Sequence, residues 1–256
     1  MQATTTGENR TGAAMAEDGV RAMLEANERW APPEPIDTSL ADADRGVYVI
    51  EADSVGSIPP PVTIQGMLKT GLDKLVGERP EVLMDKIGER LAFERTGTRL
   101  YDALIVKYET LVEGGEMPEL PVPLDVGGAD VPATLERIRA QEHKHFLMLS
   151  EVMTSLGGDP TAQTPCADVT GVASMGLMQV VTDPRTTFAQ SLNAMLIAEL
   201  ADNAGWDLLI TLAEDAGETD IAQQFQQALA EEEEHLVTIK SWLTALVTAP
   251  KATVAA

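Results

Sequence analysis

Four long stretches of this 256-residue chain repeat apolar residues at alternating steps of three and four, and each interrupts its own repeat with acid. Such steps return to one face of an α-helix, so the repeats read as helices and their apolar faces as packing seams. The first opens at Pro80, a favoured first-turn residue, and runs to Gly114–Gly115. Leu83, Ile87, Leu91, Glu94, Thr98, Tyr101, Ile105, Tyr108 and Val112 face inward. The second runs from Pro132 to Gly157–Gly158, with Leu135, Ile138, Glu142, His145, Leu149, Val152 and Leu156 inward. The third opens after Asp183–Pro184 and ends near Gly217, on Phe188, Leu192, Met195, Glu199, Asp202, Trp206 and Leu209. The fourth runs from about Thr219 to before Pro250, on Ile221, Phe225, Ala228, Glu232, His235, Ile239, Trp242 and Leu246.

Strand-like alternation is scarce after residue 65, so the class is all-α and the seams are those of a four-helix bundle. The last two helices share a short turn around Asp215–Asp220 and must be antiparallel neighbours. The second and third are separated by Gly158–Asp183, which holds helical potential near Val172–Val181. Extended chain advances about 3.3 Å per residue, against about 1.5 Å in a helix, so this link can run the length of the bundle. A long crossover is expected there. The first connection, Gly114–Val131, is also long, which leaves a second chain order open.

Ahead of the bundle, residues 1 to about 46 are rich in Ala, Thr, Glu and Asp, broken by Pro32–Pro35. They read as mobile, or ordered only by docking. Val47–Glu51 is expected to form a short strand, Pro59–Pro61 an extended turn, and Val62–Val76 a short helix closed by Gly77. No independent core is evident before residue 80. The expected division is therefore an N-terminal extended arm over 1–79, partly disordered or docked on the bundle or a partner, and the bundle over 80–256.

Charge narrows the function. With 18 basic and 41 acidic residues the formal net charge is −23, which disfavours nucleic acid and anionic membrane as partners and would draw cations in. A single cysteine, Cys166, excludes an intrachain disulfide and a Cys-x-x-Cys metal site. No apolar run approaches a membrane span, and the first residues lack the basic start and apolar core of a secretory signal. A cytoplasmic location is expected.

The seam acids carry the chemistry. Residues three apart on a helix differ by about 60° in direction, so Glu142 and His145 both reach inward, as do Glu232 and His235. In Glu231–Glu234 only Glu232 falls on the inward step, leaving Glu231, Glu233 and Glu234 as a solvated edge; His143 falls off the seam in the same way. A seam glutamate by itself is usually paired with a base or turned to water, and one Glu-x-x-His is ordinary surface composition. Two such pairs, in register with Glu94 and Glu199, would bury four carboxylates without partners unless cations held them. Two divalent ions neutralise four carboxylates, and ions in such sites lie about 3.5–4 Å apart. Oxygen-rich ligands with one imidazole per ion suit Fe²⁺ or Mn²⁺, with Zn²⁺ able to substitute. Asp202, one turn beyond Glu199, reads as a further or switching ligand, as an acceptor for a ligand histidine, or as a bystander. Tyr101 reads as a core aromatic whose hydroxyl could bond a ligand carboxylate. Trp206 and Trp242 read as packing, and Cys166 as a small buried residue.

Glu94 with Tyr101 seven later, Glu142–His145, Glu199 and Glu232–His235 form an ordered set that resembles the ferritin-like superfamily, in its rubrerythrin and bacterioferritin-like branch. The resemblance covers about residues 80–247. It implies a ferritin-like bundle with the crossover between its second and third helices. It further implies terminal ligation by Glu94 and Glu199, bridging by Glu142 and Glu232, and one ion each for His145 and His235. The implied activity is oxygen- or peroxide-dependent oxidation at two iron ions, ferroxidase or peroxidase-like. O₂ or H₂O₂ and an external reductant would be partners, and the assembly a homo-oligomer, in the first instance a dimer. Alternatives are iron storage without turnover, dimanganese catalase-like disproportionation, and a non-catalytic helical scaffold. The chain departs from rubrerythrins in lacking a four-cysteine iron centre, and from cage-forming ferritins in its N-terminal arm. Asp202 stands where rubrerythrins tend to carry a further glutamate.

Overall fold

A computed structural model describes residues 16–34, 37–53, 55–56, 80–117, 120 and 130–248. The elements are helices: α1 Glu17–Trp30, α2 Ser39–Glu51, α3 Pro80–Glu113, α4 Val131–Ser155, α5 Pro165–Thr182, α6 Phe188–Asp215 and α7 Thr219–Thr248. No strand occurs among the described residues, so the all-α class holds. None of the described helices is long and apolar enough to cross a membrane. The chain divides into two compact units, Met1–Ser54 and Val55–Ala256.

The first unit carries α1 and α2, neither of which has a buried residue. Val47–Glu51 was expected as a strand and instead forms the last turns of α2. Five alternating residues are too few to separate strand from helix, and a lone strand would leave its backbone unpaired whereas a helix satisfies its own. The expected turn at Pro59–Pro61 and helix at Val62–Val76 lie outside the described residues.

In the second unit α3 packs against α4, α5 and α6, while α7 packs against α6 and α4. The expected crossover between α4 and α6 is present and contains α5, longer than its sequence signal, which lies against α3 and α6. Local chemistry sets the helix ends. Asp130 caps α4, its carboxylate accepting from the Ala133 N–H at 2.9 Å, with Pro132 in the first turn. Thr187 and Gln190 form a reciprocal capping box on α6. Gly157 and Gly217 adopt φ of 86° and 71°, and the next residues donate back to Met153 and Ala213 at 2.9 Å, closing α4 and α6.

The core falls into two apolar blocks. One gathers Leu100, Tyr101, Leu104, Ile138, Leu192, Met195, Ile239 and Trp242. The other gathers Leu83, Ile87, Leu91, Leu149, Val152, Trp206, Leu209 and Phe225. On every helix of the bundle the two sets are separated along the sequence by the polar seam residues, so the acids form a layer between two dry blocks. Val112 leaves the seam and is exposed in the last turn of α3, which ends at Glu113. Cys166 is a free, partly buried thiol at the start of α5; burial pushes it up to about 11, so it stays protonated.

Candidate metal centre

Four helices each bring one register of the polar layer inward: Glu94 from α3, Glu142 and His145 from α4, Glu199 and Asp202 from α6, Glu232 and His235 from α7. All seven side chains are buried, none more than 2 % exposed. An unpaired carboxylate at that depth costs several kcal/mol, roughly, so the partners decide what the layer is for.

The residues fall into two overlapping groups around the histidines. Glu94, His145 and Glu232 offer ligand atoms within 4.8 Å of one another, and so do Glu142, Glu199, Glu232 and His235. Glu232 belongs to both: its Oε1 lies 2.7 Å from His145 Nδ1 and its Oε2 2.9 Å from His235 Nδ1. His145 Nδ1 is also 3.6 Å from Glu94 Oε2, and His235 Nδ1 3.4 Å from Glu142 Oε1. Both inner nitrogens are thus Nδ1, and the ring centroids are 6.3 Å apart.

Each outer nitrogen has a partner beyond the layer. His145 Nε2 lies 3.0 Å from Glu231 Oε2, whose Oε1 accepts from Lys144 Nζ at 2.6 Å. His235 Nε2 lies 3.1 Å from Gln141 Oε1, which also accepts from Arg137 Nη1 at 2.6 Å. These acceptors would hold each ring with its Nε2 proton outward when Nδ1 meets a cation. Glu231 is therefore not the solvated edge expected of it; the residue before Glu232 on α7 faces α4 closely enough to reach the histidine there. Glu233, Glu234 and His143 are exposed as expected.

Two further supports lie against the layer. The Tyr101 hydroxyl donates a short hydrogen bond to Glu199 Oε1. Asn203 Nδ2 donates to the backbone carbonyls of Glu199 and Glu232 at 2.9 and 3.2 Å, tying α6 to α7 at this level. Gly97 on α3 leaves the space that Glu142 Oε2 fills; a Cβ there would collide with that oxygen. Trp206 stands edge-on to His145 at 5.6 Å and stacks obliquely on Phe225 at 5.5 Å, closing one side with apolar surface.

Electrostatics follow from burial. Burial first, and then neighbouring carboxylates, push Glu142 and Glu199 well above the usual carboxylate range, with the Tyr101 hydrogen bond only partly offsetting this at Glu199. Burial pulls His145 down, but its contacts with Glu232 and Glu94 outweigh that and raise it to about 10. Burial pushes Glu232 up, yet the charge of His235 and the hydrogen bond from His145 hold it at about 2. Burial also drives the Tyr101 hydroxyl well above its ordinary value, as does the charge of Glu199, so it remains a donor.

The donor set fits divalent cations. Both oxygens of Glu94, Oε2 of Glu142 and Oε2 of Glu199 are buried and accept no hydrogen bond. Buried carboxylate oxygens are normally satisfied, and atoms aimed into a shared volume with two Nδ1 atoms have the geometry of ligands.

Residues 125–248 match the family model for the ferritin-like domain. The chain contains a ferritin-like domain. The matched span takes in α4 to α7 and stops short of α3, so Glu94 and Tyr101 join the centre by geometry alone. Neither the curated proteins nor the solved structures give a significant match. In this ferritin-like domain the buried Glu and His cluster could hold metal.

Sequence patterning missed Arg90, Gln141, Lys144 and Asn203. Arg90 sits on the α3 seam side at i−4 from Glu94 and is 3 % exposed. The sequence carries only an arginine one turn before a seam acid, a pattern that does not separate a buried arginine from an exposed one. Gln141 and Glu231 share a signal: each immediately precedes the glutamate of a Glu-x-x-His pair.

Proposed function

We propose that this ferritin-like domain is a dinuclear metal carboxylate protein that carries out oxygen- or peroxide-dependent oxidation, with iron as the working metal. The observation that supports this most directly is the pair of overlapping ligand groups sharing Glu232, each with one histidine Nδ1 and unsatisfied carboxylate oxygens. Glu94 and His145 would hold one ion, Glu199 and His235 the other, and Glu142 and Glu232 would serve both. Two iron ions held this way would supply the electrons that reduce O₂ or H₂O₂. Manganese meets the same donors.

The chain's own residues set the conditions. Tyr101 keeps its proton on the hydroxyl oxygen and directs it at Glu199 Oε1, which holds that carboxylate in one rotamer. Trp206, Phe225 and Leu149 exclude water from one side, and Ile138, Met195 and Ile239 from the other. Electrons must arrive from an external reductant, since the one cysteine, Cys166, cannot build an iron–sulfur relay.

The test is anaerobic loading of the full chain with Fe²⁺, followed by O₂ or H₂O₂ under steady-state conditions. Two ions per chain with repeated turnover is the expected result, abolished in Glu142→Ala. Uptake of many ions per chain with no turnover would assign storage instead. Oxygen evolution from H₂O₂ confined to manganese-loaded protein would assign disproportionation.

A further inference from the structure

Arg90 and Asp202 lie inside the polar layer and are left over by the two-ion assignment on which this inference rests. Arg90 Nη1 is 2.7 Å from Asp202 Oδ1, and both side chains are under 5 % exposed. The same nitrogen donates to the Asp202 carbonyl at 3.1 Å, and Arg90 Nε is 3.8 Å from Glu94 Oε1. Its guanidinium also stacks over Phe93, 4.1 Å from the ring centre. Gly205, one turn past Asp202, leaves the room: a Cβ there would collide with Arg90 Nη1.

Without Arg90 the surroundings are those of a third cation site. Glu94, Glu142, Asp202 and Glu232 offer carboxylate oxygens within 4.8 Å of one another, all buried. The guanidinium bridges two of these, Glu94 and Asp202, from one side. Five buried carboxylates (Glu94, Glu142, Glu199, Asp202, Glu232) against one buried arginine leave four negative charges, which two divalent ions neutralise. Three ions would exceed those four charges by two, and without Arg90 they would exceed five by only one; Glu231 does not alter the count because Lys144 meets its charge.

We propose that Arg90 is a built-in cation standing in for a third metal ion, limiting the centre to two ions and holding Asp202 off them. Arg90 and Asp202 are positioning residues here, and Gly205 supplies the space for the pair.

The experiment counts metal on the full chain: metal-free protein is loaded with excess Mn²⁺, desalted, and its manganese measured per chain. Wild type, Arg90→Lys, Asp202→Asn and the double variant Arg90→Gln/Asp202→Asn should each retain two ions, and Arg90→Gln should retain three. Retention of only one ion by Asp202→Asn would make Asp202 a ligand and overturn the proposal, as would two ions in Arg90→Gln. Should Arg90→Gln not fold, Asp202→Asn and the double variant decide, because the double leaves no unpaired buried charge; fewer than two ions in either rejects the idea. No retained metal in the wild type would instead sink the metal reading itself. Thermal melts of metal-free protein test the pair separately. Each single variant should melt roughly 10 °C lower, and the double should lose less than the sum.

Discussion

Around His145 the polar layer is backed directly by charged side chains, whereas the side chains that back the His235 end directly, Gln141 and Tyr101, are neutral. Glu231 meets His145 Nε2 and is held by Lys144, and the Arg90–Asp202 pair stands beside Glu94. At the other end Gln141 meets His235 Nε2, and Tyr101 rather than an arginine reaches the terminal carboxylate Glu199. The plan is otherwise shared. Each histidine's outer nitrogen is braced by the residue just before the glutamate of the opposite helix's pair. That cross-brace couples α4 and α7 even though these helices pack little elsewhere. The difference means that two similar ligand sets need not bind equally, because a carboxylate acceptor makes an imidazole a stronger donor to metal than an amide does.

The comparison depends on Glu232, the one carboxylate among the described residues that touches both histidines. Glu232→Gln should remove the shared carboxylate from both halves at once, with at least a 100-fold loss in affinity for each ion, roughly. Equilibrium dialysis with Mn²⁺ or Fe²⁺ reads this directly. If one ion is retained at unchanged affinity, the halves are independent and Glu232 is not shared.

Acidity should separate the metal-free protein from the loaded one. Glu142 and Glu199 are both raised well above the usual carboxylate values, so each holds its proton to higher pH in the folded chain than in the unfolded one. Their contribution is present at low pH and is lost as pH rises above those values. His145, raised from 6.5 to about 10, contributes fully below 6.5 and loses its contribution as pH climbs toward 10. Glu232, lowered from 4.5 to about 2, acts oppositely and is lost only as pH falls below 4.5. Metal-free protein should therefore melt about 10 °C lower at pH 9.5 than at pH 6.5. Bound cations take the place of the protons, so the loaded protein should show a widening advantage over the same range. A metal-free melting point that stays level or rises between those pH values would contradict this account.

Gly97 offers a narrower probe, since it touches the centre only through Glu142. A Cβ at 97 collides with Oε2, a movable side-chain tip, so the fold should survive while the carboxylate is displaced. Gly97→Ala should weaken metal binding by about 10-fold to 100-fold, with the melting point of metal-free protein within a few degrees of wild type. A fall in stability with intact affinity would show that the close approach serves packing instead.

The bundle and the seven inward acids and histidines were legible because both obey one rule, helical periodicity. Glu94, Glu142 and Glu232 could be picked from their neighbours by step alone, and His143 and Glu233 set aside by the same step. The supporting groups were not legible, because Gln141, Lys144 and Glu231 lie one residue off the seam and reach the centre across a helix pair. Such contacts depend on which helices are neighbours and at what height, which periodicity does not contain. Arg90 escaped because it sits at the edge of the seam, and long basic side chains at that position usually run out to water. Val47–Glu51 misled in the opposite way: β-branched residues in a short run suggested a strand, yet they close α2.

The smallest expected effect is also the one that addresses the two halves most directly. Gln141→Glu would give His235 the carboxylate backing that His145 has, and Glu231→Gln would give His145 the amide that His235 has. If the backing sets affinity, the first ion binds at the His145 half in the wild type. Glu231→Gln should then weaken the tighter site by roughly 10-fold and draw the two affinities together. Gln141→Glu should instead strengthen the weaker site, also by less than about 10-fold, because the new carboxylate would meet Arg137 as well as His235. Titration with Co²⁺, followed by its visible absorption, resolves stepwise filling. Two steps in the wild type that merge in each single variant, and separate with reversed order in the double swap, would establish that the outer acceptors set the order. Steps unchanged in all three variants would place the difference inside the ligand layer instead, with Arg90 and Tyr101 as the remaining unequal neighbours.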